Sequence, residues 1–192
     1  MTLRRKDRRF LVRLANSAHS EPSQSSKFLR RLRALAAALP GDVMNVRISP
    51  LAVELDLFVS EEQPIEPFLA AWENVGKPLT VRPLDETPGS ADPAVAIPEA
   101  KRFWDEHRFW EVHEILETPW KAAQGAEREW LQGLILGAAA RVHLQKDERA
   151  VVPSMIHTAL SKLEGSRAHY HGWDLEKFRE ELKRLGIMST SL

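Results

Sequence analysis

The chain has 192 residues, 43% apolar and 28% charged, with 27 basic and 27 acidic side chains and no cysteine. That composition belongs to a globular protein rather than a disordered one, and the length suits one large domain or two small ones. Disulfides, thiolate catalysis and zinc sites built on sulfur are excluded, and no apolar run approaches the ~20 residues that cross a bilayer.

The N-terminus, MTLRRKDRRFLVRLANS, is basic but lacks the apolar core of a secretory signal. A cytoplasmic protein with no membrane association is expected. The overall neutrality hides an asymmetry. Residues 1–33 carry ten Lys/Arg against Asp7 and Glu21, a net +8, whereas residues 34–96 carry three basic and ten acidic side chains. A basic N-terminal segment suits a polyanion such as nucleic acid, with Arg4, Arg5, Arg8, Arg9 and Arg13, and Arg30 to Arg33, as its contacts. The plainer reading is that it neutralises the acidic stretch following it.

Phe10, Val12 and Leu14 alternate with Arg9, Leu11 and Arg13, which predicts a strand. A serine-rich loop, Asn16 to Ser25, precedes a helix with Ser25 or Ser26 as its cap and Phe28, Leu29, Leu32, Leu35, Ala36 and Leu39 on one face. Pro40-Gly41-Asp42 ends it. Val43 to Ile48 reads as a second strand, and Leu51, Val53, Leu55, Leu57 and Val59 alternate through a third. A second helix is expected from about Pro64 to Asn74, then a fourth strand from Leu79 to Leu84. The order strand, helix, strand, strand, helix, strand predicts an α+β ferredoxin-like βαββαβ domain over residues 1–84. Its open face would carry Arg9, Leu11, Arg13, Ala52, Glu54, Asp56 and Phe58. Two acids there argue against bases stacking on that sheet as in RNA-recognition domains.

Residues 85–97, with their small residues, Gly and two prolines, read as a linker. From Pro98 to the end the pattern is helical, and residues 98–192 are expected to form an all-α bundle of about five helices: 98–106, 109–123, 126–145, 152–170 and 174–185. Asp174 is the expected cap of the last and Gly186 its stop.

The polar residues on these helices are the candidates for a site. At about 100° per residue, His113 falls within the apolar stripe of Phe109, Val112, Leu116 and Trp120. Glu117 lies one turn on at its edge, Trp110 and Glu114 lie beyond, and Glu111 faces away towards solvent. The third helix is apolar nearly all round, with Gly133, Gly137 and Ala140 as a small-residue stripe. Gln132 and His143 are its polar exceptions, about 16 Å apart at about 1.5 Å per residue and so too far apart for one small site.

His113 with Glu117 is either a hydrogen-bonded packing pair or part of a ligand set. A divalent metal is possible, since carboxylates and imidazoles at helical spacing build the metal sites of bundles. HEILE is nevertheless not HExxH, because position 117 is Glu where a second His is required. The tryptophans are read as packing residues.

The strings FWEVHEILETPW and EREWLQGLILGAAARVH resemble the helical family called domain of unknown function 309. The resemblance rests on Trp110, Glu111, His113, Glu114, Leu116, Glu117 and Trp120, then Glu127, Arg128, Leu131, Gln132, Gly133, Leu134, Ile135 and His143, and covers about residues 98–170. It implies a compact all-helical domain and no particular activity. The sequence departs from the family's pattern at Pro119, expected to bend the second helix or end it before Trp120, and at Leu136, which replaces a polar residue.

Three functions are compatible with these residues. The first is a binding or interaction protein, not an enzyme, that docks a small ligand or protein partner beside His113, Glu114 and Glu117, with a homodimer possible. The second is a metal-dependent hydrolase using the same cluster, and the third is a nucleic-acid-associated protein working through the basic N-terminus.

Overall fold

The computed structural model describes residues 7–84 and 89–190. It divides into two units, one formed by the N-terminal residues to Glu86 with Gln145–Asp147, the other by the remainder. The chain is α+β, with a four-stranded antiparallel sheet in the first unit and a set of helices in the second.

In the first unit β1 (Asp7–Ala15), β2 (Gly41–Ile48), β3 (Ala52–Ser60) and β4 (Pro78–Pro83) lie in the order β2-β3-β1-β4, each antiparallel to its neighbours. The period of two along β1 and β3 divides the sheet into unlike faces. Val12, Leu14, Val53, Leu55, Leu57 and Val59 form a core with Phe28 and Leu32 of α1 (Ser25–Leu35) and with Phe68 of α2 (Glu66–Ala71) and Trp72. The indole of Trp72 donates to the Leu32 carbonyl at 3.0 Å, tying the two helical segments together. Both helices are shorter than their apolar spacing predicts. α1 is entered through a 3-10 turn, Pro22–Gln24, which makes Ser25 its first residue rather than its cap.

The other face of the sheet is charged and buried. β1 and β3 set Arg9 across from Phe58, Leu11 from Asp56 and Arg13 from Glu54. Asp56, fully buried, accepts from Arg47 at 2.8 Å, from Arg9 at 2.8 Å and from the Asn45 amide at 2.7 Å. Arg13 donates to Glu54 at 3.0 Å. Burial pushes the Asp56 carboxyl up, but Arg47, Asn45 and Arg9 together hold it below its ordinary value. A bulge in β2 between Met44 and Arg47, with Asn45 at φ 52°, turns the Asn45 amide onto this carboxylate. Glu54 and Asp56, the two acids of the expected open face, are thus already paired from within the sheet.

The second unit contains α3 (Pro93–Asp105), α4 (Phe109–Ala122), α5 (Gly125–Gln145), α6 (Val152–Lys162) and α7 (Leu175–Thr190), with a two-residue hairpin of β5 (His169–Tyr170) and β6 (Trp173–Asp174). α3 begins five residues before the expected start. Asp92 caps it by accepting from Ala94 N–H, and Pro93 is the first-turn proline, so Pro98 lies inside the helix. The segment expected as linker therefore loses residues 93–97 to the helix, while 85–88 fall outside the described residues.

α6 ends at Lys162 rather than near residue 170, followed by Gly165 at φ 68° and then the hairpin. Asp174 caps α7 by accepting from Lys177 N–H at 2.9 Å. α7 runs through Gly186, because one glycine costs a helix only about 1 kcal/mol and Leu185 beside it is buried.

α4 likewise continues through Pro119 instead of stopping before Trp120. The ring removes the N–H that would have bonded the Ile115 carbonyl. Gly89, at φ 108°, lies against that carbonyl so closely that a Cβ would stand 2.8 Å from the oxygen.

The small-residue stripe of α5 brings its neighbours close. A Cβ on Gly133 would lie 2.6 Å from Leu163 Cγ and 3.0 Å from the Ala159 carbonyl oxygen. One on Gly137 would lie 2.6 Å from Phe178 Cζ, part of an aromatic cluster with Trp104 and Trp173. Overpacking of this kind costs about 1–3 kcal/mol, more than the better helix propensity of Ala returns. Gly133→Ala should therefore lower the midpoint of thermal unfolding of the helical unit. A raised midpoint would mean that α5 and α6 have room to spare.

Candidate functional site

α4 carries the four candidate residues because three and four positions on a helix are neighbours. Trp110 and His113 stack with ring centroids 5.7 Å apart and planes at 9°. His113 Nδ1 lies 3.6 Å from a Glu114 oxygen and 3.7 Å from a Glu117 oxygen, within ion-pair range but too long for hydrogen bonds. The Nδ1 atom is shielded from solvent and has no hydrogen-bond partner. The expectation of a buried histidine is corrected, since His113 is half-buried, like Glu114 and Glu117. Glu117 also binds Lys121 one turn on, at 2.9 Å. The four side chains thus make one partly exposed aromatic and acidic face.

Glu111 overturns its sequence reading. It is not solvated but 2% exposed, and it accepts two hydrogen bonds from Arg108, at 2.6 and 2.7 Å. Arg108 also donates to Glu106 at 2.9 Å and lies 3.9 Å above the Phe103 ring. Burial alone would lower the Arg108 pKa, but the hydrogen bonds and charges of Glu111 and Glu106 raise it.

A second cluster joins three helices of the same unit. Arg141 of α5 pairs with Glu181 of α7, and Glu181 accepts from the Trp104 indole of α3 at 3.3 Å. Burial, and then the charge of Arg141, lower the pKa of His107 against the opposing pull of Glu181 and Asp105. His107 holds φ 58° at the turn between α3 and α4. Its short sequence context carries no signal for this. Arg108, three residues before Glu111, was the signal available for the buried pair.

Gln132 and His143 are half-buried. His143 Nδ1 lies 2.6 Å from Glu148 Oε2, a partner outside the third helix. Glu127, another position of the resemblance, accepts from the Tyr170 hydroxyl at 2.7 Å. Burial and that carboxylate push the Tyr170 pKa up. Arg128 lies 4.3 Å over the Trp120 ring and donates to the Trp120 carbonyl at 2.9 Å, closing the turn between α4 and α5. Among the described residues no group of three His, Cys, Asp or Glu side chains is placed to hold one metal ion. A cavity of about 590 Å³ between α6 and α7 lies apart from the α4 face. Its Arg179 is occupied by the Leu163 carbonyl and the Ser166 hydroxyl.

Of the basic residues expected to meet a polyanion, Arg9 and Arg13 are committed to Asp56 and Glu54, and Arg8 donates to the Gln63 carbonyl at 2.7 Å. These contacts engage the three arginines within the N-terminal unit. Arg4 and Arg5 lie outside the described residues.

Residues 97–155 match the family described as Domain of unknown function (DUF309). The resemblance noted for the C-terminal part thus holds over residues 97–155. A conserved hypothetical protein from Thermus thermophilus, of known crystal structure, is 34% identical to this chain where the two match. The match covers 46% of this chain and 93% of that one, with a TM-score of 0.42. No curated protein matches. Among the described residues no helix is long and apolar enough to cross a membrane.

Proposed function

We propose that the chain is a binding or interaction protein whose helical unit docks a small ligand or partner on the α4 face of Trp110, His113, Glu114 and Glu117. The observation that carries this reading is His113 Nδ1, shielded from water, without a hydrogen-bond partner, and flanked by two carboxylates. Polar groups left short of their partners are uncommon inside a fold, and a bound ion or ligand nearby is one arrangement that accounts for them. The chemistry favoured is a cation. Lys121 on Glu117 shows the group such a carboxylate accepts, and the Trp110–His113 stack offers an aromatic wall beside it.

The N-terminal unit fits a ferredoxin-like fold, given the strand order β2-β3-β1-β4 with a helix between β1 and β2 and another between β3 and β4. Such a fold hosts many functions and names none. A cytoplasmic site of action goes with a chain that has no cysteine.

The test uses spermidine as a polycationic probe of the full chain, read by NMR at the indole N–H of Trp110. Addition should shift that resonance in the native protein. In His113→Ala the shift should vanish while the far-ultraviolet circular dichroism stays unchanged. If the native protein gives no shift at millimolar probe, or if His113→Ala unfolds the helical unit, His113 is a packing residue and the reading fails.

A further inference from the structure

Two sets stand out among the basic side chains of the N-terminal unit. Arg9, Arg13 and Arg47 are spent on Asp56 and Glu54 inside the sheet, and Arg33 faces Asp42 at 3.4 Å. Lys27, Arg30 and Arg31 of α1 are exposed, and among the described residues none of them forms an ion pair with a carboxylate. The contact found for Arg31 is a hydrogen bond to the Asn74 carbonyl, at 3.2 Å. No acidic residue occurs within α1 to offset them. Three like charges within two helical turns repel one another, and a fold that keeps them unpaired keeps them available for an anion.

Two of these residues, Lys27 and Arg31, line a depression. A cavity of about 450 Å³ at the start of α1 is bordered by Lys27 and Arg31 and by His19, Ser20, Ser23 and Gln24 from the preceding loop. Glu21 is its one carboxylate, beside two lysine or arginine side chains, and the Gln24 side-chain oxygen already accepts from Glu21 N–H at 2.9 Å. Hydroxyls and cations at a concave surface are the donors that phosphate oxygens take.

We propose that the outer face of α1, through Lys27, Arg30 and Arg31, is a sequence-independent contact surface for the phosphate backbone of a nucleic acid. The surface lies on the helix and not on the basic strand β1, because Arg9 and Arg13 of the strand have carboxylate partners and Arg8 donates to the Gln63 carbonyl. A nucleic acid is favoured over an anionic membrane because Phe28 and Leu32 of the same helix are buried against the sheet, leaving the cationic face without those apolar anchors.

The experiment measures binding of the full chain to labelled mixed-sequence RNA and duplex DNA by fluorescence anisotropy. Three phosphate contacts give a slope of log affinity against log salt of about −2.1 (single strand) to about −2.7 (duplex), so affinity should fall about 20- to 40-fold between about 50 and about 200 mM salt. The combined variant Lys27→Glu, Arg30→Glu, Arg31→Glu should lose at least about tenfold of the low-salt affinity. Circular dichroism checks the fold, and the corresponding triple Gln variant replaces the Glu variant if that one misfolds. No binding by the native chain at low salt overturns the proposal. So does retained affinity in the α1 variant, or binding to phosphatidylserine vesicles without binding to either nucleic acid.

Discussion

Glu111→Ala should destabilise the helical unit by about 3–5 kcal/mol, the cost of leaving one partner of a buried ion pair behind. The Arg108 side chain is 12% exposed and the Glu111 side chain 2%. Removing the carboxylate therefore strands a guanidinium that water barely reaches, with the half-exposed Glu106 as its remaining acid. Urea unfolding followed by tryptophan fluorescence suits the test, because five of the six tryptophans lie in the helical unit. Glu114→Ala, on the half-exposed side of the same helix, should stay within about 0.5 kcal/mol, as surface substitutions usually do. Replacing Arg108 by Met and Glu111 by Leu together should recover much of the single-variant loss, since a buried pair exchanged for apolar side chains is often neutral. Equal effects from Glu111→Ala and Glu114→Ala would return Glu111 to the role of a solvated residue.

Arg47→Ala should be the corresponding lesion in the N-terminal unit, also costing about 3–5 kcal/mol. It removes the strongest cation from Asp56 and leaves that fully buried carboxylate with Arg9 and Asn45. The pH dependence gives an independent readout. The folded carboxyl of Asp56 is held below its unfolded value of about 4, so its contribution is complete above that value and is lost as pH falls through the lower folded one. Without Arg47, burial dominates and the folded pKa rises. Acid unfolding, followed through Trp72, should then begin at a higher pH than in the native chain. An unmoved acid transition would show that Arg47 does not hold Asp56 ionised.

The alternation of Phe10, Val12 and Leu14 and of Val53 through Val59 made the sheet legible, because a period of two assigns one face to the core whatever lies on the other. The second face was not legible. Periodicity sorts apolar from polar side chains and says nothing of arginines and acids buried together. The same limit hid Glu111, which helical angle places opposite the apolar stripe but which Arg108 covers. The start of α3 was misplaced because two prolines five residues apart offer the same first-turn signal, and the Asp92 cap decides between them. The hairpin at His169–Asp174 leaves no trace, since strands of two residues have no period. What the sequence did carry was the grouping of Trp110, His113, Glu114 and Glu117, as spacing alone brings them together on one helix.

Pro119 withholds a donor from the Ile115 carbonyl, and Gly89 lies against that same oxygen with no room for a side chain. The two positions meet at one atom, the Ile115 oxygen. A larger residue at position 89 meets the bared oxygen, and an N–H restored at position 119 re-engages that oxygen in the helix. The demand for glycine outlasts the proline, because at φ 108° any side chain at position 89 is strained and its Cβ would still stand 2.8 Å from the Ile115 oxygen.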